Sequence, residues 1–335
     1  MKKLAILISC TLMLLFACKK SSSDASGANN SGNNNTPTET PQFYQYEITP
    51  SQTNTAISSY NYVHEVMLDT RTTLKNKLFV FLPGTSGFPS VYQLIVKKAA
   101  ALGFHAIGLT YPNGSEIYTI SGSSSDLNDF GKCRQEIFEG TDQVSGLSID
   151  ANNSIQGRLL KLLQFLNQQH PTQNWNQFYA GNQINWSKIV IAGHSQGGGH
   201  AFYISKIKAV DRAVCFASID WNSNLNQSAA WINMMGATPV NKLYSFNGLR
   251  DQIFAYANVQ TQLSELGLQG PAVSIDSNNP PYNNSHTLTT NATPALFEPL
   301  TNHHNLTCLD AYVPKDASGN PLPSFTNAWE YLLTN

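Results

Sequence analysis

Charged residues are scarce in this chain of 335 residues: only 12% are Asp, Glu, Lys or Arg, and the formal net charge is −1. The sequence has no basic cluster of the kind that a nucleic-acid-binding surface needs. No apolar run reaches the roughly 18 residues of a membrane-spanning helix, and glycine shows no collagen-like period. With 41% hydrophobic residues the chain is also too apolar for a disordered protein. The composition therefore indicates a globular protein with one large domain or two small ones.

The first 17 residues are typical of an export signal. Lys2 and Lys3 precede an apolar stretch that is too short to span a bilayer. The stretch ends in the segment LFAC, residues 15–18, which resembles a bacterial lipobox, where cleavage precedes the cysteine and the cysteine is acylated. An ordinary signal peptide that happens to contain a cysteine is the alternative. The lipobox resemblance implies a lipoprotein of the cell envelope, held at the membrane outside the cytoplasm, in the outer membrane, through acylated Cys18.

Beyond the leader, residues 18–41 are rich in Ser, Asn, Gly and Thr, which predicts a flexible tether. A single folded domain is predicted over residues 42–335. Leu78–Leu82 is a continuous apolar run, typical of a strand that is buried on both faces. Such strands alternate with helical patterns, and this predicts a mostly parallel sheet covered by helices on both faces. Residues 115–148 are rich in Ser, Gly and Asp and predict a long binding loop.

Three cysteines lie in the predicted domain, Cys133, Cys215 and Cys308. An odd number allows at most one disulfide within the chain, and the sequence does not say which. None of the three has the spacing to another Cys or His that a metal site requires. The cysteines therefore predict no metal site.

One motif suggests chemistry. Residues 193–197 read GHSQG, and the apolar segment KIVIA runs directly into them from residue 188. A strand that enters G-x-S-x-G and continues as a helix is the context of a nucleophile elbow. The serine at such a turn is held in a strained backbone conformation, and its neighbours two positions away must be small, as Gly193 and Gly197 are. Ser195 is therefore the candidate nucleophile, at the positive end of a helix.

The segments GHSQGGG at residues 193–199 and LPGTSG at residues 82–87 resemble those of an α/β-hydrolase-fold serine hydrolase of the esterase/lipase kind. The resemblance covers the chain from Lys77 to its C-terminus. It implies a three-layer α/β fold with a mostly parallel sheet of eight strands. It also implies hydrolysis of carboxylic esters through a Ser-His-Asp triad, with no cofactor and no metal ion.

A neutral serine hydroxyl needs a base, usually a histidine that a carboxylate orients. In the family that the chain resembles, the order along the chain is Ser, then acid, then His. Asp251 is accordingly predicted as the acid, with Asp220 as the alternative. His304, ahead of the final predicted helix, is predicted as the base, with His286 and His303 as alternatives.

An oxyanion hole needs backbone N–H donors. By the resemblance, these donors come from Gln196 and Thr85, with Gly84 as the alternative to Thr85. The function that the sequence favours is a lipid-anchored serine hydrolase acting on lipid or small-molecule esters. Fold does not decide chemistry, so two alternatives stay open: a peptidase or thioesterase on the same fold, and a non-catalytic surface lipoprotein that binds glycans or lipids.

Overall fold

The structure is a computed structural model that describes residues 40–114, 117–268, 270–296 and 301–335. Pro41–Asn335 forms a compact unit. The predicted leader and the predicted tether up to residue 39 lie outside the described residues. The strands are β1 Phe43–Ile48, β2 His64–Asp69, β3 Leu78–Leu82, β4 His105–Gly108, β5 Tyr179–Ala180, β6 Gln183–Ile184, β7 Ile189–His194, β8 Arg212–Phe216, β9 Trp221–Asn222, β10 Gln227–Ser228, β11 Leu243–Gly248, β12 Val273–Ser274 and β13 Thr287–Thr290. The α-helices are α1 Pro50–Thr53, α2 Gln93–Ala101, α3 Ile117–Ser121, α4 Asp129–Glu139, α5 Ile155–Gln169, α6 Gln196–Ile207, α7 Tyr256–Glu265, α8 Asn302–Asn305 and α9 Pro323–Thr334.

The main sheet has the strand order β1-β2-β4-β3-β7-β8-β11-β13-β12. Strand β2 runs antiparallel to both of its neighbours, and the other neighbouring strands are parallel. Within the described residues the sheet has nine strands, one more than the predicted eight, so that count was wrong. Its edge strand β12 has only two residues and pairs with β13, which makes it too short to stand out as a sequence pattern.

Helices cover both faces of the sheet, and alternation along the buried strands explains why. In β3, Leu78, Val80 and Leu82 pack into one apolar core. Phe79 and Phe81 point into the other. The first core also receives side chains from α4, α5, α6 and α7. The second receives side chains from α2 and α9. The prediction of a three-layer α/β-hydrolase fold with a mostly parallel sheet is confirmed.

The segment 115–148, predicted as a long binding loop, contains the helices α3 and α4, and the prediction of a loop was wrong for the residues of these helices. Helix α4 buries Phe130, Cys133 and Ile137, which are three and four positions apart and share one face. Charged residues surround this narrow apolar stripe. The helix therefore owes its stability to burial against its neighbours rather than to strong local periodicity.

The three cysteines of the compact unit are free and buried. Cys133 Sγ lies 3.3 Å from Ser121 Oγ, and Cys215 and Cys308 belong to opposite cores. No disulfide joins them. No helix of the described part is both long enough and apolar enough to cross a membrane.

Candidate active site

The turn between β7 and α6 holds Ser195 in a conformation that is rare for a residue with a side chain. Its φ is +51° and its ψ is −121°, outside the regions that most residues adopt. A Cβ at Gly193 would collide with the backbone of Gly197, and a Cβ at Gly197 would collide with the carbonyl of Leu82. The strained serine is therefore possible only because glycine occupies both neighbouring positions. The Ser195 N–H donates to Phe216 O at 2.9 Å and ties the turn to β8.

Asp251 lies just after the end of β11 and His304 lies within α8, and their side chains form a buried pair. The distance from His304 Nδ1 to Asp251 Oδ2 is 2.8 Å, and the two side chains are 7% and 4% exposed. The second carboxylate oxygen, Oδ1, accepts hydrogen bonds from the backbone N–H groups of Ile253 and Phe254, at 2.7 and 3.0 Å. Burial raises the pKa of Asp251, but the hydrogen bond and charge of His304 and the two backbone N–H donors together outweigh it. The net effect lowers that pKa, so the group is a carboxylate that accepts from the imidazole.

Because Nδ1 of His304 donates to the carboxylate, Nε2 carries the free lone pair of the neutral ring. Ser195 and His304 both line a cavity of about 1010 Å³. Among the described side chains, the Ser195 hydroxyl has no hydrogen-bond partner. Catalytic hydrogen bonds are commonly long before a substrate binds. The geometry thus brings the predicted nucleophile and base to one cavity, and the predicted acid is hydrogen bonded to the base.

The two alternative histidines lie elsewhere. His286 Nδ1 lies 2.9 Å from the carbonyl of Leu243, and its ring stacks on Tyr244 at 4.3 Å. Leu243 begins β11, whereas Asp251 follows the opposite end of that strand. The backbone N–H of His303 donates to Gln252 Oε1 at 3.0 Å. Neither histidine lines the cavity.

The alternative acid, Asp220, has a different partner. Both of its oxygens accept from the guanidinium of Arg134 on α4, and neither side chain is exposed. The indole N–H of Trp231 donates to Asp220 Oδ2 at 2.8 Å. Arg134 also donates to the carbonyl of Gln196 at 3.0 Å. Asp220 is therefore part of a buried ion pair that supports the start of α6.

The predicted oxyanion-hole residues are adjacent. Thr85 Oγ1 donates to Gln196 Oε1 at 2.7 Å, which joins the loop after β3 to the first turn of α6. The N–H of the alternative, Gly84, donates to the Tyr92 hydroxyl at 3.3 Å. The N–H groups of Thr85 and Gln196 have no acceptor among the described residues, as expected at a loop and at the first position of a helix. Thr85 lines the cavity, and the Gln196 side chain is buried.

A buried chain of hydrogen bonds connects this loop to the base, and no pattern in the sequence indicates it. The Gly84 N–H donates to Tyr92 Oη, which lies 3.0 Å from His194 Nδ1. His194 Nε2 lies 3.0 Å from the carbonyl of His304. Burial lowers the pKa of His194 to about 3, so the ring is neutral. Since a carbonyl only accepts, Nε2 carries the proton, and Nδ1 accepts from the Tyr92 hydroxyl.

Comparison with known proteins adds little to this geometry. No protein-family model matches the chain, and no curated protein matches it. Among solved structures, the chain is similar to one from Klebsiella pneumoniae subsp. pneumoniae MGH 78578 that is provisionally described as a dienelactone hydrolase. The identity is 11%, the match covers 87% of this chain and 97% of that chain, and the TM-score is 0.46. At this identity and TM-score the likeness carries no information on the substrate of this chain.

Proposed function

We propose that the chain is a serine hydrolase that cleaves carboxylic esters. Ser195 is the nucleophile, His304 the general base and Asp251 the carboxylate that orients it. The observation that carries the proposal is the buried 2.8 Å hydrogen bond between Asp251 and His304, which lines the same cavity as Ser195. The strained turn at Ser195 supports it, because such strain is concentrated at functional sites.

In the proposed reaction, Ser195 Oγ attacks the ester carbonyl carbon while His304 Nε2 takes the hydroxyl proton. The resulting oxyanion accepts hydrogen bonds from the N–H groups of Thr85 and Gln196. The carbon–oxygen bond to the alcohol then breaks, and the alcohol leaves with the proton from His304. Water attacks the acyl-enzyme by the same route, which releases the acid and restores Ser195. Asp251 stabilises the imidazolium in both halves without taking up its proton.

The test is covalent labelling of the full-length protein with a fluorophosphonate probe, followed by mapping of the modified peptide. We expect one phosphonylated residue, Ser195, and no labelling of the Ser195→Ala variant. Ser205, on the helix that follows Ser195 and hydrogen bonded to the Phe202 carbonyl at 2.6 Å, offers a matched control: Ser205→Ala should be labelled like the wild type. A folded wild-type protein that resists the probe would contradict the hydrolase proposal and favour a binding lipoprotein.

We also propose that the mature protein is anchored in the cell envelope, outside the cytoplasm, through an acylated Cys18. The segment LFAC at residues 15–18 supports this proposal. When the full-length protein is made in bacteria supplied with labelled palmitate, the label should be incorporated, and Cys18→Ala should abolish it. Cys10→Ala, a cysteine inside the predicted leader, is the matched control and should keep the label. Label retained in Cys18→Ala would show that the anchor lies elsewhere.

A further inference from the structure

The cavity beside Ser195 lacks charge. Among its lining residues that the structure describes, none is Lys, Arg, Asp or Glu. The internal residues outside the described part, 115–116, 269 and 297–300, contain no Lys or Arg either. Arg134, which contacts the first turn of α6, is fully buried and bonded to Asp220. No Lys or Arg side chain of the described lining is therefore available to a ligand in the cavity.

The remaining ionisable groups of the lining are neutral or already paired. Burial lowers the pKa of His194 to about 3. Burial also raises the pKa values of Tyr92 and Tyr118 well above their usual value. The His304 ring is hydrogen bonded to Asp251, so a positive charge on it is already paired within the protein. A substrate carboxylate in this cavity would meet no counter-ion.

One wall of the cavity is aromatic and aliphatic. The rings of Tyr118 and Phe254 lie 5.4 Å apart, and Phe254 packs edge-on against His304 at 5.3 Å. Ile219 and Trp221 continue this wall. The Tyr118 hydroxyl donates to the Ile219 carbonyl, so the hydrogen-bond donor of this side chain is already paired within the protein. This wall therefore offers apolar surface that starts directly beside the base.

From these observations we propose that the substrate is an uncharged ester carrying an apolar or aromatic group, and that the cavity discriminates against esters with a carboxylate. Transfer of a carboxylate from water into this cavity would remove part of its hydration without replacing it, whereas an apolar chain gains from leaving water. The inference rests on the proposed ester hydrolysis, because it names the substrate class of the same site.

The experiment uses a matched pair of substrates, p-nitrophenyl hexanoate and the p-nitrophenyl half ester of adipic acid, which differ only in a terminal carboxylate. For the full-length wild-type protein we expect kcat/KM to be at least about 10-fold higher for the hexanoate, since an unpaired charge is costly to bury. Asn258, half-buried on α7 and part of the lining, allows a gain-of-function variant. Asn258→Arg should lower the ratio of kcat/KM for the hexanoate to kcat/KM for the half ester, whereas Asn258→Gln should leave that ratio unchanged. Equal or faster turnover of the half ester by the wild type would overturn the inference.

A binding measurement separates this inference from the proposed function. N-phenylhexanamide and the monoanilide of adipic acid are matched ligands that an esterase turns over poorly, and Ser195→Ala removes the nucleophile altogether. In that variant, calorimetry should give at least about 10-fold tighter binding of the uncharged amide. Equal affinities would refute the neutral-substrate inference even if the wild type hydrolyses esters. A preference for the uncharged amide without any ester turnover would instead refute the hydrolase proposal alone.

Discussion

Replacing His304 with alanine is expected to lower kcat for an ester substrate by about four to six orders of magnitude, the loss that removal of a triad histidine causes elsewhere. Without this imidazole, the other histidine of the described lining is His194, and both of its ring nitrogens are already hydrogen bonded, to Tyr92 and to the His304 carbonyl. The remaining oxyanion donors would support only slow residual turnover. Substrate binding should change much less, because the cavity wall stays in place, so the loss should appear in kcat rather than in KM.

His286→Ala is the matched control for this experiment. This residue is also buried, but its ring stacks on Tyr244 and bonds to Leu243 at the start of β11. We expect kcat to stay within about twofold of the wild-type value once the folded fraction is equal, because the ring touches no reacting group. Circular dichroism and a thermal melt would establish that fraction. Loss of activity in His286→Ala with retention in His304→Ala would show that the base has been assigned to the wrong residue.

Replacing Arg134 with methionine is expected to lower the free energy of unfolding by about 3–5 kcal/mol, the cost of breaking a fully buried ion pair. The change leaves Asp220 as a buried carboxylate whose remaining side-chain donors are neutral, Trp231 among them. It also removes the donor to the Gln196 carbonyl. The Arg134 guanidinium lies so close to α6 that a Cβ at Gly199 would collide with it. Urea unfolding, monitored by fluorescence, measures the loss.

Two comparisons make the Arg134 result specific. Lys132→Met removes a cation from the same helix, but this lysine is a surface residue that pairs with Asp126 and Asp129, so only a small change is expected. The double variant Arg134→Met/Asp220→Leu should lose less than the two single variants added together, because it leaves no unpaired charge. Additive losses, or a loss for Arg134→Met no larger than that for Lys132→Met, would contradict a strongly coupled buried pair.

The site residues differ in how far the sequence could predict them. Ser195 lies within a local pattern, since KIVIA followed by GHSQG specifies a strand, a tight turn and a helix start. The sequence predicted Asp251 as the acid with Asp220 as the alternative, and in the structure Asp220 is bonded to Arg134 whereas Asp251 is bonded to His304. That arginine lies in the segment 115–148, where polar composition hid a helix with a narrow apolar stripe. Among the candidate histidines, only the folded structure shows that His304 is the one hydrogen bonded to Asp251.

The connection from Gly84 through Tyr92 and His194 to the His304 carbonyl is a further example. Each of these residues is ordinary in its own sequence context, and no local spacing relates them. They meet because β3 and β7 are adjacent strands and α8 packs near their carboxyl ends. Hydrogen bonds of this kind follow from strand order, so periodicity along the chain contains no signal for them.

The sequence alone determined the alternation of strands and helices, the two-faced burial of the sheet and the strained turn at Ser195. These depend on side-chain periodicity and on steric limits between residues a few positions apart. Only the tertiary structure decided the pairing of His304 with Asp251, the burial of Arg134 against Asp220 and the uncharged lining of the cavity. Each of these joins residues from separate elements, and the energy of a charge or hydrogen bond depends on burial and distance, which only the assembled fold sets.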